Sequence, residues 1–77
     1  MHITIKYFGQ IAEATKKTEE QLEVDAKLVS ELITLLHDKY NVLKNKDYQV
    51  AQQQELVDLN TALTGEEIAL LPPFSGG

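Results

Sequence analysis

Val29-Ser30-Glu31-Leu32-Ile33-Thr34-Leu35-Leu36-His37-Asp38-Lys39-Tyr40 is the stretch of this chain with the clearest helical period. Val29, Leu32, Ile33, Leu36 and Tyr40 recur at i, i+3, i+4 and i+7 spacing, which lines them along one side of a helix. Leu35 widens that stripe, and Ser30, Glu31, Thr34, His37, Asp38 and Lys39 form the wet side. The start is poorly marked. Asp25 lies early, Leu28 is a poor cap, and Ser30 already sits near the first turn. Asn41 suits the left-handed position that ends a helix.

Strand-like segments flank this helix on both sides. His2 to Phe8 alternates, with Ile3, Ile5 and Tyr7 on one face and Thr4, Lys6 and Phe8 on the other, until Gly9 punctuates it. Gln10 to Ala14 could form one short helical turn. Glu19 to Val24 reads as an antiparallel partner of the first strand, with Leu22 and Val24 inward. Glu19, Glu20 and Glu23 read as its solvated face. After a polar connection at Lys44-Asn45-Lys46-Asp47, Tyr48 to Ala51 is a third strand and Leu56-Val57 a short fourth. Gln52-Gln53-Gln54 between them is a turn without the usual Gly or Asn. Thr64-Gly65-Glu66-Glu67 is a tight turn before the last strand, Ile68 to Leu71. Pro72-Pro73 ends ladder pairing, so the chain is expected to leave the sheet there.

One amphipathic helix can cover one face of one mixed sheet, so the class is α+β in the order β-β-α-β-β-β. A last strand lying parallel beside the first would give the β-grasp arrangement of ubiquitin, and the pattern permits that pairing. The expected division is a β-grasp domain over residues 1–72 and a C-terminal tail over residues 73–77.

Composition bounds the chemistry. At 77 residues the chain is one domain, and a domain of this size buries only about 60% of its unfolded surface. It has no room for both a core and a deep site of its own. Without cysteine it has no thiolate nucleophile, disulfide or zinc-thiolate centre. Seven lysines, no arginine and a net charge of -5 argue against nucleic acid and fit partners with basic surfaces. No apolar run approaches the ~20 residues of a membrane span, and no signal peptide is readable, so the expected compartment is the cytoplasm. His2 and His37 lack ligand spacing and read as surface residues, so no metal site is expected.

The chain finishes Pro72-Pro73-Phe74-Ser75-Gly76-Gly77. A Gly-Gly end puts a carboxylate on a stem with no side chain, open to close approach by another backbone or a nucleotide. The plain alternative is a frayed terminus. Ser75 has no base placed near it in sequence and does not read as a nucleophile.

Two segments carry a family resemblance. Tyr7-Phe8-Gly9-Gln10-Ile11-Ala12-Glu13 resembles the N-terminal "FFA…E" signature of the small subunit of molybdopterin synthase, the MoaD-type sulfur carrier. Leu63 to Gly77, ending Pro-Pro-Phe-Ser-Gly-Gly, resembles its C-terminal signature. Length and element order agree, so the resemblance spans the whole chain. Two places depart from it. Ala51-Gln52-Gln53 stands where the family usually has Ala-Val-Asn, and Leu28 where it often has a Thr cap.

The resemblance implies a function. The Gly77 carboxylate would be adenylated with ATP by an E1-like, MoeB-type enzyme and then converted to a thiocarboxylate. The sulfur would pass to cyclic pyranopterin monophosphate in the MoaE-type large subunit of a heterotetrameric synthase. The chain itself would bind no cofactor and supply no base or metal. Gly76 and Ser75 would keep the tail thin enough to thread, and Phe8, Leu56, Leu71 and Phe74 would meet the partner. Core packing is the competing reading for these apolar residues, and Leu56 or Leu71 could be core by strand parity. Glu66 and Glu67 could steer a basic partner or simply be solvated turn charges. Two other functions stay open: a sulfur carrier for thiazole synthesis or tRNA thiolation, and a β-grasp binding module with an inert tail.

Overall fold

Alternation puts Ile3, Ile5 and Tyr7 on the inner face of the first strand, β1 (His2–Tyr7), where none is more than 2% exposed. The computed structural model of the chain describes residues 1–73. After β1 come α1 (Gln10–Thr15), β2 (Glu19–Glu23), α2 (Val29–Lys39), a 3-10 helix at Asn41–Asn45, β3 (Gln49–Gln52), β4 (Glu55–Leu56) and β5 (Ile68–Leu71). The five strands form one sheet in the order β2-β1-β5-β3-β4. β5 runs parallel to β1, with Ile5 opposite Ile68 and Tyr7 opposite Leu70. The β1–β2, β3–β5 and β3–β4 pairs are antiparallel. This is the expected β-grasp arrangement, with its two terminal strands side by side at the centre.

The stripe on α2 packs Val29, Leu32, Ile33 and Leu36 into one core with Ile3, Ile5, Val50, Ile68 and Leu70. Burial of a side chain of this size contributes about 1.5–3 kcal/mol. Leu35 lies outside the core and is 43% exposed, against the expectation that it widens the stripe. At 100° per residue it sits about 120° from the stripe's centre, beyond the arc that the sheet covers.

The start of α2, poorly marked in the sequence, is capped from elsewhere in the chain, and its end differs from the sequence reading. Leu28 is the N-cap and makes no side-chain cap bond. The loop before β5 supplies the acceptors instead: Val29 N donates to Thr61 O at 2.9 Å and Ser30 N to Leu59 O at 3.0 Å. Glu31 Oε1 accepts from the Lys27 and Leu28 amides at 2.8 and 2.9 Å, and these bonds hold its carboxyl below the usual range. At the other end Asn41 is not left-handed. Tyr40 caps the helix with φ -128° and the chain continues into the 3-10 helix, which carries Leu43 into full burial. The polar connection therefore begins later than the sequence suggests, because one apolar side chain in it has a core site to fill.

Glu20 is the largest surprise of the fold. It does not belong to a solvated face. It shares the inward parity of Leu22, and its side chain is only 8% exposed. Tyr7 and Tyr40 donate their hydroxyls to Oε2 at 2.5 and 2.6 Å, and Lys39 and Lys17 reach Oε1 at 2.9 and 3.3 Å. The tyrosine rings meet edge to face, with centroids 6.0 Å apart. Burial alone would raise the Glu20 carboxyl. The bonds from Tyr40, Tyr7, Lys39 and Lys17 outweigh it and hold the group down at about 2. Burial first and Glu20 second push the hydroxyls of Tyr7 and Tyr40 above the ordinary tyrosine range. One carboxylate thus ties β1, β2 and the end of α2 together.

The third strand runs one residue further than expected. Gln52 is buried, donates from Nε2 to Ala62 O at 3.1 Å and accepts from Thr64 N at 3.2 Å, pinning the loop that caps α2. The turn is left with two residues, Gln53 (φ 54°) and Gln54 (φ 67°), both left-handed. A two-residue hairpin loop matches strand twist only in that conformation, which favours Asn and Gly.

Candidate functional site

The site is built on the sheet's outer face, where β5 ends. Parity places Lys6 and Phe8, Ala69 and Leu71, and Ala51 on that face, and the register lines them up. Lys6 lies opposite Ala69, Ala69 opposite Ala51, and Ala51 opposite Leu56. The next row holds Leu71, and the Phe8 amide continues the ladder by donating to Leu70 O at 3.2 Å. Two alanines side by side leave a floor with no bulk. Phe8, Leu56 and Leu71 stand around it, and Lys6 and Glu67, paired at 3.1 Å, close one side. Phe8 is 43% exposed, Leu56 58% exposed and Leu71 half-buried, so the groove is apolar and open.

Three of the four residues expected to meet a partner therefore converge on one groove. The fourth, Phe74, lies outside the described residues, as do Ser75, Gly76 and Gly77. Leu71, the last residue of β5, lines this groove, and Pro72 and Pro73 follow it directly in the chain. The groove offers an ion pair and a hydrocarbon surface, which suits docking.

The two signature segments touch at this point. Gly9 has φ 56° and ψ -131°, and a Cβ on it would lie 2.7 Å from Pro72 Cγ. Both the left-handed φ and the close approach need glycine here.

The histidines lie elsewhere. His2 pairs with Glu23 at 2.8 Å on the exposed edge of β2. His37, expected on the wet side of α2, is half-buried, with Nε2 2.6 Å from the Tyr48 hydroxyl. That hydroxyl is raised by burial. The pair borders a larger concavity of about 580 Å³ between α2, β3 and the β4–β5 loop, separated from the tail-root groove by Leu56. Among the described residues no cluster of three or more His, Asp or Glu side chains could hold a metal. No helix of the described residues is long and apolar enough to cross a membrane.

A mixed five-stranded sheet with parallel central terminal strands, one long helix and an apolar groove at the root of the C-terminus defines a ubiquitin-like β-grasp protein. The chain belongs to the ThiS family, which matches residues 5–77. It is 31% identical over 88 residues to a molybdopterin synthase sulfur carrier subunit of Phaeosphaeria nodorum, covering 99% of this chain and 91% of the relative. Among solved structures it resembles a chain in the complex of subunits 1 and 2 of molybdopterin-converting factor from Helicobacter pylori, with 31% identity, a TM-score of 0.71 and full coverage of both chains. SAMP1 from Haloferax volcanii is also similar, with 25% identity, a TM-score of 0.82 and full coverage of both chains.

Proposed function

We propose that this chain is the sulfur-carrier small subunit of a molybdopterin synthase, and that its reactive group is the Gly77 carboxylate. The observation that carries this reading is the apolar groove of Phe8, Leu56 and Leu71 beside the exit of a chain that ends in Gly-Gly. The Phaeosphaeria nodorum and Helicobacter pylori relatives support it, the second because it is described in complex with its companion subunit.

The chemistry follows from what a carboxylate lacks. It is a poor electrophile until ATP converts it to an acyl-adenylate with release of pyrophosphate, a step assigned to an E1-like MoeB-type enzyme. A sulfide equivalent then forms the C–S bond and breaks the acyl–oxygen bond, giving a thiocarboxylate, AMP and a proton. The thiocarboxylate is a sulfur nucleophile in a chain without cysteine. The MoaE-type large subunit supplies the positive groups that hold the terminus and the pterin substrate. The division of the chain into a folded unit over residues 1–72 and a delivered tail over residues 73–77 is part of the same proposal. Phe74 docks, and Ser75 and Gly76 keep the stem thin.

Reconstitution with the large subunit and cyclic pyranopterin monophosphate tests this. The thiocarboxylated chain is expected to yield molybdopterin, and the chain lacking Gly77 to yield none while keeping its fold. Full activity of the truncated chain would refute the assignment. Sulfur transfer to thiazole synthase, with none to the large subunit, would place the chain in the alternative carrier pathway.

A further inference from the structure

We propose that Gly9 is a positioning residue that sets the direction in which the C-terminal segment leaves the domain. This rests on the carrier reading and concerns how the reactive end is aimed. Pro72 is the first residue after β5, and its ring seats against the turn between β1 and α1. That turn is fixed on both sides. Phe8 N donates to Leu70 O at 3.2 Å, and Phe8 O and Gly9 O accept from Ile11 and Glu13 at 3.1 and 3.3 Å, starting α1. Gly9 holds φ 56° and ψ -131°, which a residue with a Cβ rarely adopts. Its bare Cα is what lets the Pro72 ring come close, since a Cβ would stand 2.7 Å from Cγ.

A proline ring cannot fold away as a long side chain can, so adding that methyl group must move Pro72 or the turn. The movement falls where the chain leaves β5. The four peptide units from Pro73 to Gly77 reach at most about 14 Å. A displacement of about 1 Å there shifts the origin of the segment that carries the reactive group, and misplacement of that size can cost 100-fold in a reaction.

The test uses the full chain carrying a thiocarboxylate, made by sulfide cleavage of an intein fusion so that no activating enzyme is needed. Wild type, Gly9→Ala, Pro72→Ala and the double variant are each compared in three measurements: thermal melting, affinity for the large subunit, and single-turnover sulfur transfer at saturating large subunit. Gly9→Ala is expected to bind within about two-fold of wild type and to transfer sulfur about ten-fold more slowly. Pro72→Ala, which empties the seat from the other side, is expected to slow transfer similarly. Adding Gly9→Ala to it should change the rate by less than about two-fold, the signature of two residues acting through one contact. Wild-type transfer by Gly9→Ala, or a double variant whose loss is the product of the two single losses, would overturn the positioning role. Absence of transfer by the wild-type thiocarboxylate would instead overturn the carrier reading on which it rests.

Discussion

Replacing Glu20 with glutamine keeps the shape of the side chain and removes the charge that four donors share. The wild-type carboxylate accepts from Tyr7, Tyr40, Lys39 and Lys17 within 3.3 Å. A carboxyl held at about 2 against an ordinary 4.5 corresponds to about 3 kcal/mol of stabilisation. The lysine side chains are 46% and 42% exposed and return to water when released, which discounts their share. Tyr7 is fully packed and cannot, so its hydroxyl must find the amide or go unpaired. The expected loss for Glu20→Gln at pH 7 is therefore about 2 kcal/mol, or a fall in Tm of about 10 °C for a domain of this size. The pH dependence is the more telling part. The folded-state value lies below the unfolded one, so the stabilisation is complete above pH 4.5 and is lost as pH falls towards 2. Urea denaturation across this range should show wild type and Glu20→Gln separated by a constant gap above pH 5.5, narrowing steadily below about 4.5. A gap under about 0.5 kcal/mol at pH 7, or one that does not narrow in acid, would refute the reasoning.

Two further outcomes are expected. Gln53→Asn with Gln54→Gly should raise stability by about 1–2 kcal/mol in urea denaturation, because both positions have left-handed φ angles that those residues adopt at lower cost. Leu56→Glu should leave the melting temperature nearly unchanged, because the side chain is 58% exposed, yet weaken binding to the large subunit at least about ten-fold by calorimetry.

Periodicity carried most of the fold. The α2 stripe and the β1 alternation have strong single periods, and both core faces follow them. Positions where tertiary contacts decide were harder to read. Glu20 shares the parity of Leu22 and Val24, a signal available in the sequence, but its charge pointed to solvent and nothing local showed that two tyrosines and two lysines would gather on it. Leu35 has the composition of a core residue and the angle of a surface one. The cap of α2 is supplied by carbonyls some thirty residues away, at Leu59 and Thr61, which no window around Leu28 contains. Gln52 looked like part of a turn because its role is to hold the 62–64 backbone. At the site, Phe8 was legible from breaking the polar face of β1. The groove itself depends on Ala51 and Ala69 being neighbours, which only the pairing of β3 with β5 reveals. The Gly9–Pro72 contact follows from the parallel pairing of the terminal strands.

The most direct measurement is the intact mass of the chain after incubation with ATP, a sulfide source and a MoeB-type activating enzyme. Exchange of one carboxylate oxygen for sulfur should raise the mass by about 16 Da, confined to the C-terminal peptide and abolished by deleting Gly77. An unchanged mass, under conditions in which the same enzyme converts its own established carrier, would contradict Gly77 as the reactive group.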